Sequence, residues 1–308
     1  MKLTGPARPE GFEGWLARSP LNADLVLLLV CVVWGTTFVV IKVGLADTSP
    51  FNFVAVRFGV ASAVFFVLAL PRLGGLSWRE VWRGGFMGLL LLGGYITQTV
   101  GLSLTTASKA GFITGLSVVL VPLFARFGLG HRVGWGVAAG VGLATVGLAL
   151  LSLTAGLRPE PGDLWVLACA FGFAGHILAV AELSRGCDAF RLAFVQTAVV
   201  ALGGGLLALS LEGSVGLPAG MGLLAALYTG VLGTGLVLGL QIPAQKYTSP
   251  SHAALIFAAE PVFAALFAAA LLGERLGPKE LVGGGLILAG MLLAELRRPS
   301  ERRLKGAD

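Results

Sequence analysis

QTVGLSLTTASKAGFITGLSVVLVPLF, residues 98–124, returns 143 positions later as QIPAQKYTSPSHAALIFAAEPVFAALF, residues 241–267. Gln98 pairs with Gln241, Thr105 with Thr248, Ser108 with Ser251, Ala110 with Ala253, and Leu123-Phe124 with Leu266-Phe267. The register continues without a gap. Gly130 meets Gly273, Arg132 meets Arg275, and Gly134, Gly140, Gly142 and Gly147 meet Gly277, Gly283, Gly285 and Gly290. A match that long marks an internal repeat. Upstream, a shift of 139 pairs Asp24 with Asp163 and Phe51 with Phe190, and an indel of four near the second loop reconciles the two shifts.

The repeat lies within a chain of ten apolar stretches: 25–46, 51–70, 84–103, 108–127, 133–152, 163–182, 190–209, 219–240, 251–272 and 280–296. A helix needs about 20 mostly apolar residues to cross a bilayer, and the short last stretch relies on tilt or local thinning. Hydrophobic residues make up 56% of the 308, and charged residues only 12%. The soluble norm for charge is about 25%, so a water-exposed globule is excluded, and disorder needs low hydrophobicity. Five stretches per copy is an odd number, so the second copy enters the membrane from the opposite side. The expected architecture is all-α: a polytopic membrane protein with ten transmembrane helices arranged as two inverted five-helix repeats, a pattern of many secondary transporters.

Lys and Arg in the connections set the orientation. With the N-terminus inside, sixteen fall on the inner side, among them Arg18, Arg72, Arg83, Arg185 and Arg191, against four outside: Lys109, Arg158, Arg275 and Lys279. The reading divides the chain into a cytoplasmic segment 1–20, a first repeat 21–155, an external connection 156–162, a second repeat 163–297 and a basic cytoplasmic tail 298–308, in the cell's inner (plasma) membrane. The first 20 residues carry acids and prolines and no apolar core, so no signal-peptide pattern is present. The net charge is +6. The basic tail follows an apolar stretch, which points to an anionic membrane face and not to nucleic acid. Cys31, Cys169 and Cys187 form no CxxC spacing, so neither a disulfide framework nor a metal site is expected.

Three further segments carry a resemblance. Trp34-Gly35-Thr36-Thr37-Phe38 is followed by Lys42. The fourth stretch reads Ala107-Ser108-Lys109-Ala110-Gly111-Phe112-Ile113-Thr114-Gly115-Leu116 and runs on to Pro122. The ninth reads Tyr247-Thr248-Ser249, then Glu260-Pro261-Val262-Phe263, then Leu272-Gly273-Glu274-Arg275. In order and spacing these resemble the EamA-type transporters of the drug/metabolite transporter superfamily over about residues 21–297. The resemblance implies ten helices around a central cavity, with the fifth and tenth mainly structural. It also implies efflux of a small metabolite, amino acid or drug-like solute from the cytoplasm. His131 departs from it, standing where the first repeat often has the acid that Glu274 supplies in the second.

Charges at mid-bilayer are costly and mark function by default. Glu260 falls near the midplane by helical rise, and Pro261 beside it is an expected flex point, as is Pro122. Glu260 is therefore the expected proton-coupling acid, with His176 at similar depth as a candidate partner; the alternatives are a neutral structural acid and a core histidine. Lys42 and Arg57, both expected in the outer third, either hold an anionic solute group or snorkel to the interface. Gln98 and Gln241 are repeat mates that either cap opposite ends of a pathway or make interhelical hydrogen bonds. Trp34, Tyr95, Phe112, Phe257 and Phe263 are candidates for cavity lining, with lipid contact or packing as the alternative. The glycines near residues 134–147 and 283–290 read as close helix packing.

The chain has no HExxH, GxSxG or GxxxxGK[ST], which leaves an ion gradient, the proton's or another ion's, or facilitation to drive transport. No cofactor is expected. An intramembrane enzyme without a recognisable motif and a receptor or scaffold are the competing classes. The expected partners are a small-molecule solute and the bilayer, and the protein is a monomer or a homodimer.

Overall fold

A computed structural model describes residues 11–129, 134–152, 160–245, 247 and 256–296. Among these residues the secondary structure is helical throughout, with no strand. The helices are α1 (Gly11–Arg18), α2 (Pro20–Gly44), α3 (Pro50–Ala69), α4 (Trp78–Leu104), α5 (Ala107–Gly115), α6 (Ser117–Leu129), α7 (Trp135–Ser152), α8 (Pro161–Leu183), α9 (Ala189–Glu212), α10 (Gly220–Gly230), α11 (Val237–Gln245), α12 (Glu260–Leu272) and α13 (Pro278–Leu296). A 3₁₀ turn, Leu70–Gly75, follows α3, and a π-helical segment, Val231–Leu236, joins α10 to α11.

Local chemistry sets the helix starts. Ser19 caps α2 through the Leu21 N–H and Ser49 caps α3 through the Asn52 N–H, each with proline in the first turn. Ser77 and Glu80 form a capping box on α4. The Asp188 carboxylate accepts from the Phe190 and Arg191 N–H groups at the start of α9. Gly273 (φ 66°) closes α12 in the left-handed region.

Among the described residues, eight helical stretches are long and apolar enough to cross a membrane: 21–44, 50–75, 78–104, 107–125, 135–152, 161–183, 189–212 and 220–241. They coincide with the first eight sequence stretches. Leucines such as Leu202, Leu206 and Leu209 face outward, as suits a surface solvated by lipid. The ninth stretch is represented by the shorter apolar helix α12, and residues 251–255 lie outside the described part. The tail, Arg158 and His131 are outside it too.

The structure adds local detail at three places. The fourth stretch, continuous as a span, is divided at Leu116 into two helices. Pro261, an expected flex point, follows an interruption of the helix at residues 258–259. It stands in the first turn of α12, because a proline lacks the N–H that a preceding turn would need. The N-terminal segment carries a helix, α1, whose Leu16 is buried against Ala23, Leu27 and Ala244; eight residues are too few for a strong periodic signal.

The glycine stripes do bring helices together. α7 and α13 pack along their length. A Cβ on Gly140 would lie 2.5 Å from the Gly290 carbonyl oxygen, and one on Gly147 would lie 2.5 Å from that of Gly283. Gly142 has nothing within 4 Å. Gly147→Val is therefore expected to cost at least about 3 kcal/mol, the upper range for overpacking, while Gly142→Ala stays near neutral. Detergent-solution melting curves of the two variants check this, and equal Tm values would contradict it.

Candidate functional site

The break at Leu116 has a counterpart. Leu116 N–H bonds the Ile113 carbonyl (3.1 Å), and the Leu116 carbonyl accepts from Val119 and Leu120 (3.0 and 3.0 Å). In the other repeat Ala259 N–H bonds the Ile256 carbonyl (2.9 Å), and the Ala259 carbonyl accepts from Val262 and Phe263 (3.1 and 3.1 Å). Each pair of positions is 143 apart, the register of the sequence repeat. The two breaks also meet. α5 packs on α12, with Gly111 against Ala264 and Gly115 against the Pro261 ring, where a Cβ would lie 2.6 and 2.9 Å from its neighbour. Interrupted helices are where backbone groups become free to serve a solute or ion.

Glu260 opens α12 at this crossing. It is half-buried, and its carboxylate has neither hydrogen bond nor ion pair among the described residues. It lies within electrostatic reach of Cys31 on α2, Tyr95 on α4 and Cys169 on α8. The Cys31 thiol donates to the Ile256 carbonyl (3.3 Å). Trp34 donates its indole N–H to the Gly233 carbonyl in the π-helical segment (3.1 Å) and tilts over Phe257, with centroids 5.7 Å apart. The next residue, Thr234, accepts a hydrogen bond from the Arg57 guanidinium (3.3 Å), which Tyr95 covers at 4.7 Å. Trp34, Arg57, Tyr95, Phe257 and Glu260, far apart in sequence, thus belong to one region.

The other candidates go elsewhere. His176 bonds Gln196 on α9 (2.6 Å) and not Glu260, so the expected pair does not form. Lys42 donates to the carbonyls of Leu102, Ser103 and Thr105 (2.8, 3.3 and 2.7 Å), capping the C-terminal end of α4 in place of snorkelling. Arg57 does not snorkel either, being only 2% exposed. Gln98 bonds Thr114 (3.3 Å), the interhelical alternative. The Gln241 side-chain oxygen is buried without a hydrogen-bond partner among the described residues. Phe112 packs on Gly284, Phe263 packs on Gly35, and Pro122 is buried inside α6.

Sequence reasoning missed the π-helical segment and Thr234. The glycine-dense run Thr229-Gly230-Val231-Leu232-Gly233-Thr234-Gly235 was the available signal. It also left open what Glu274 does. That carboxylate accepts from the Ala107 and Ser108 N–H groups (2.8 and 3.0 Å) and the Ser108 hydroxyl (2.7 Å), so it caps α5 from α12's far end. Beside it Lys109 pairs with Glu160 (2.9 Å) and Asp163 (3.7 Å). A surface cleft of about 220 Å³ opens there, lined by Thr106, Lys109, Glu274 and Arg275 among others; Glu260 is not among its walls. A second polar cluster ties α4 to α9, where Glu80 accepts from the Asp188 N–H (3.0 Å) and from Arg191 (3.0 Å).

Residues 21–153 and 160–296 each match the EamA-like transporter family. The chain belongs to that family. Like its relatives, this EamA-like chain is a multi-pass membrane protein of the transporter class. It is similar to an uncharacterized transporter of Archaeoglobus fulgidus, 36% identical over 277 residues, which covers 90% of this chain and 87% of that one. The uncharacterized inner membrane transporter YedA of Escherichia coli is 26% identical, covering 88% and 89%. A probable actinorhodin transporter of Streptomyces coelicolor is 29% identical, covering 78% of this chain and 47% of its own. A solved crystal structure shares the EamA-like chain's fold with a TM-score of 0.64 at 23% identity, covering 89% and 97%.

Proposed function

We propose that the protein is a secondary carrier: ten spans in two inverted five-helix repeats move a small organic solute outward across the inner membrane by alternating access, coupled to protons at Glu260. The matched breaks at Leu116 and Ala259, crossing beside Glu260, carry this reading. The packing supports the inverted repeat. Exchanging α2 with α8, α3 with α9, α4 with α10 and α11, α5 and α6 with α12, and α7 with α13 maps the most extensive pairings onto themselves. The pairing of α2 with α12 becomes that of α8 with α6, α4 with α9 becomes α10 with α3, and α3 with α9 is its own image. Gly140 on Gly290 and Gly147 on Gly283 are related in the same way. With such symmetry one set of contacts serves to close either end.

The polar cluster around Glu274 and Lys42 then closes the outer end, and the cluster around Glu80 and Arg191 belongs to the inner end. Both termini face the cytoplasm on this reading, and residue 158 faces outside. Single cysteines at 158 and 79, in a chain whose three native cysteines have been replaced, check it in intact cells. An impermeant maleimide should block 158 and leave 79 free. Labelling of 158 from the inside only removes the inverted arrangement.

A further inference from the structure

We infer that the transported solute is an aromatic monoanion whose carboxylate seats on Arg57. The inference rests on the carrier reading above and adds its substrate class.

A guanidinium stays charged at every accessible pH. Arg57 is 2% exposed, yet among the described residues no carboxylate lies within ion-pair distance of it. Its Nε is buried without a hydrogen-bond partner. The protein supplies the Thr234 hydroxyl at 3.3 Å, a polar contact with the Tyr95 side chain, and the faces of Tyr95 (4.7 Å) and Phe58 (5.3 Å), and none of these is a carboxylate. The other deep cations are better provided. Lys42 holds three carbonyls, Lys109 has Glu160 and Asp163, and Arg191 has Glu80. A buried charge left without a counter-ion is strongly destabilising, and in a membrane it marks a solute path. The missing partner is an anion, and the fork of a guanidinium matches the two oxygens of a carboxylate.

The surroundings fix the rest of the solute. Trp34 and Arg57 engage consecutive residues of the π-helical segment, Gly233 and Thr234. Phe257 lies against Trp34, and Tyr95 covers the guanidinium. The anionic seat is thus walled by aromatic rings, which favour a flat apolar body. Tyr95 covers the seat in this arrangement, so an entering carboxylate takes the place of its ring. A dianion such as a phosphate needs a second cation, and the donors of Lys42 are taken by the end of α4.

Phenylacetate, phenylacetamide and phenethylamine share size and ring but carry charges of −1, 0 and +1. Thermal-shift titration of the purified full-length protein should give at least about tenfold tighter binding of phenylacetate than of the other two. Arg57→Gln should abolish that preference. Arg57→Lys, which keeps the charge and loses the fork, should weaken phenylacetate about tenfold; it serves as the test if the glutamine variant does not fold. Equal or tighter binding of phenethylamine, no phenylacetate shift up to about 10 mM, or undiminished binding in both variants overturns the assignment. Flux is measured separately with phenylmethanesulfonate, which stays ionised and does not cross the bilayer unaided. Arg57-dependent binding without its exchange in proteoliposomes would defeat the carrier reading and leave the anion seat standing. Exchange indifferent to solute charge would do the reverse.

Discussion

Glu260→Gln is expected to keep solute exchange and to lose all stimulation of transport by a pH gradient. Glu260 sits where two interrupted helices cross, and no protein group among the described residues neutralises it. Holding a carboxylate charge at the bilayer centre costs about 2.5–3.5 kcal/mol on insertion scales. That cost falls whenever the pathway opens to water on one side. The same acid can then take a proton from one face and release it at the other. Glutamine has the shape and hydrogen-bonding capacity of the protonated acid and cannot release the proton. Proteoliposomes with and without an imposed gradient, mutant beside wild type, separate the possibilities. A mutant that still concentrates solute under the gradient makes Glu260 a structural acid. A wild type indifferent to the gradient makes the protein a facilitator or couples it to another ion. His176 does not enter this scheme, because its partner is Gln196.

The second large effect is expected at Glu274. Three hydrogen bonds, two of them from the first N–H groups of α5, converge on one carboxylate. A hydrogen bond to a charged group contributes about 1.5–3 kcal/mol, and a carboxylate at a helix N-terminus adds a favourable dipole term. The three share one acceptor, so their sum is smaller than three separate values. Glu274→Ala should lose about 2–3 kcal/mol holding this end together, whereas Glu274→Gln, which keeps one acceptor oxygen, should lose less. If the contact is a gate, a loss of about 2 kcal/mol raises the open population roughly thirtyfold. A cysteine at the buried position Ala110 reports this through its rate of labelling by an impermeant maleimide. An unchanged rate with a lowered Tm would make Glu274 a helix cap and nothing more.

Much of the architecture was legible without coordinates, because in lipid the backbone must satisfy itself within each helix. Span positions therefore follow from apolar run length, and the first eight were placed correctly to within a few residues. The boundaries that moved did so for local reasons. α4 starts at Trp78 and not at 84 because Ser77 and Glu80 cap it there. The site was only partly legible. Glu260, Arg57 and Trp34 stood out as costly or bulky residues inside spans, and the fold brings the three into one region. Lys42 stood out on the same grounds, yet its ammonium ends on carbonyls some sixty residues away in sequence. Whether a buried cation is satisfied depends on which carbonyls lie beside it, and spacing along one helix does not report that.

The sequence by itself determined that this protein is helical, membrane-embedded and duplicated, since run length, composition and the 143-residue register are properties of the linear chain. Only the tertiary structure decided where the helices break and which charges remain without partners. The break at Leu116 lies beside the place where Pro261 packs near Gly115, and the setting of Arg57 is made by what α4 and the π-helical segment bring against α3. Both depend on contacts between distant segments, whose energies are set by packing across the fold and are not encoded in any local pattern.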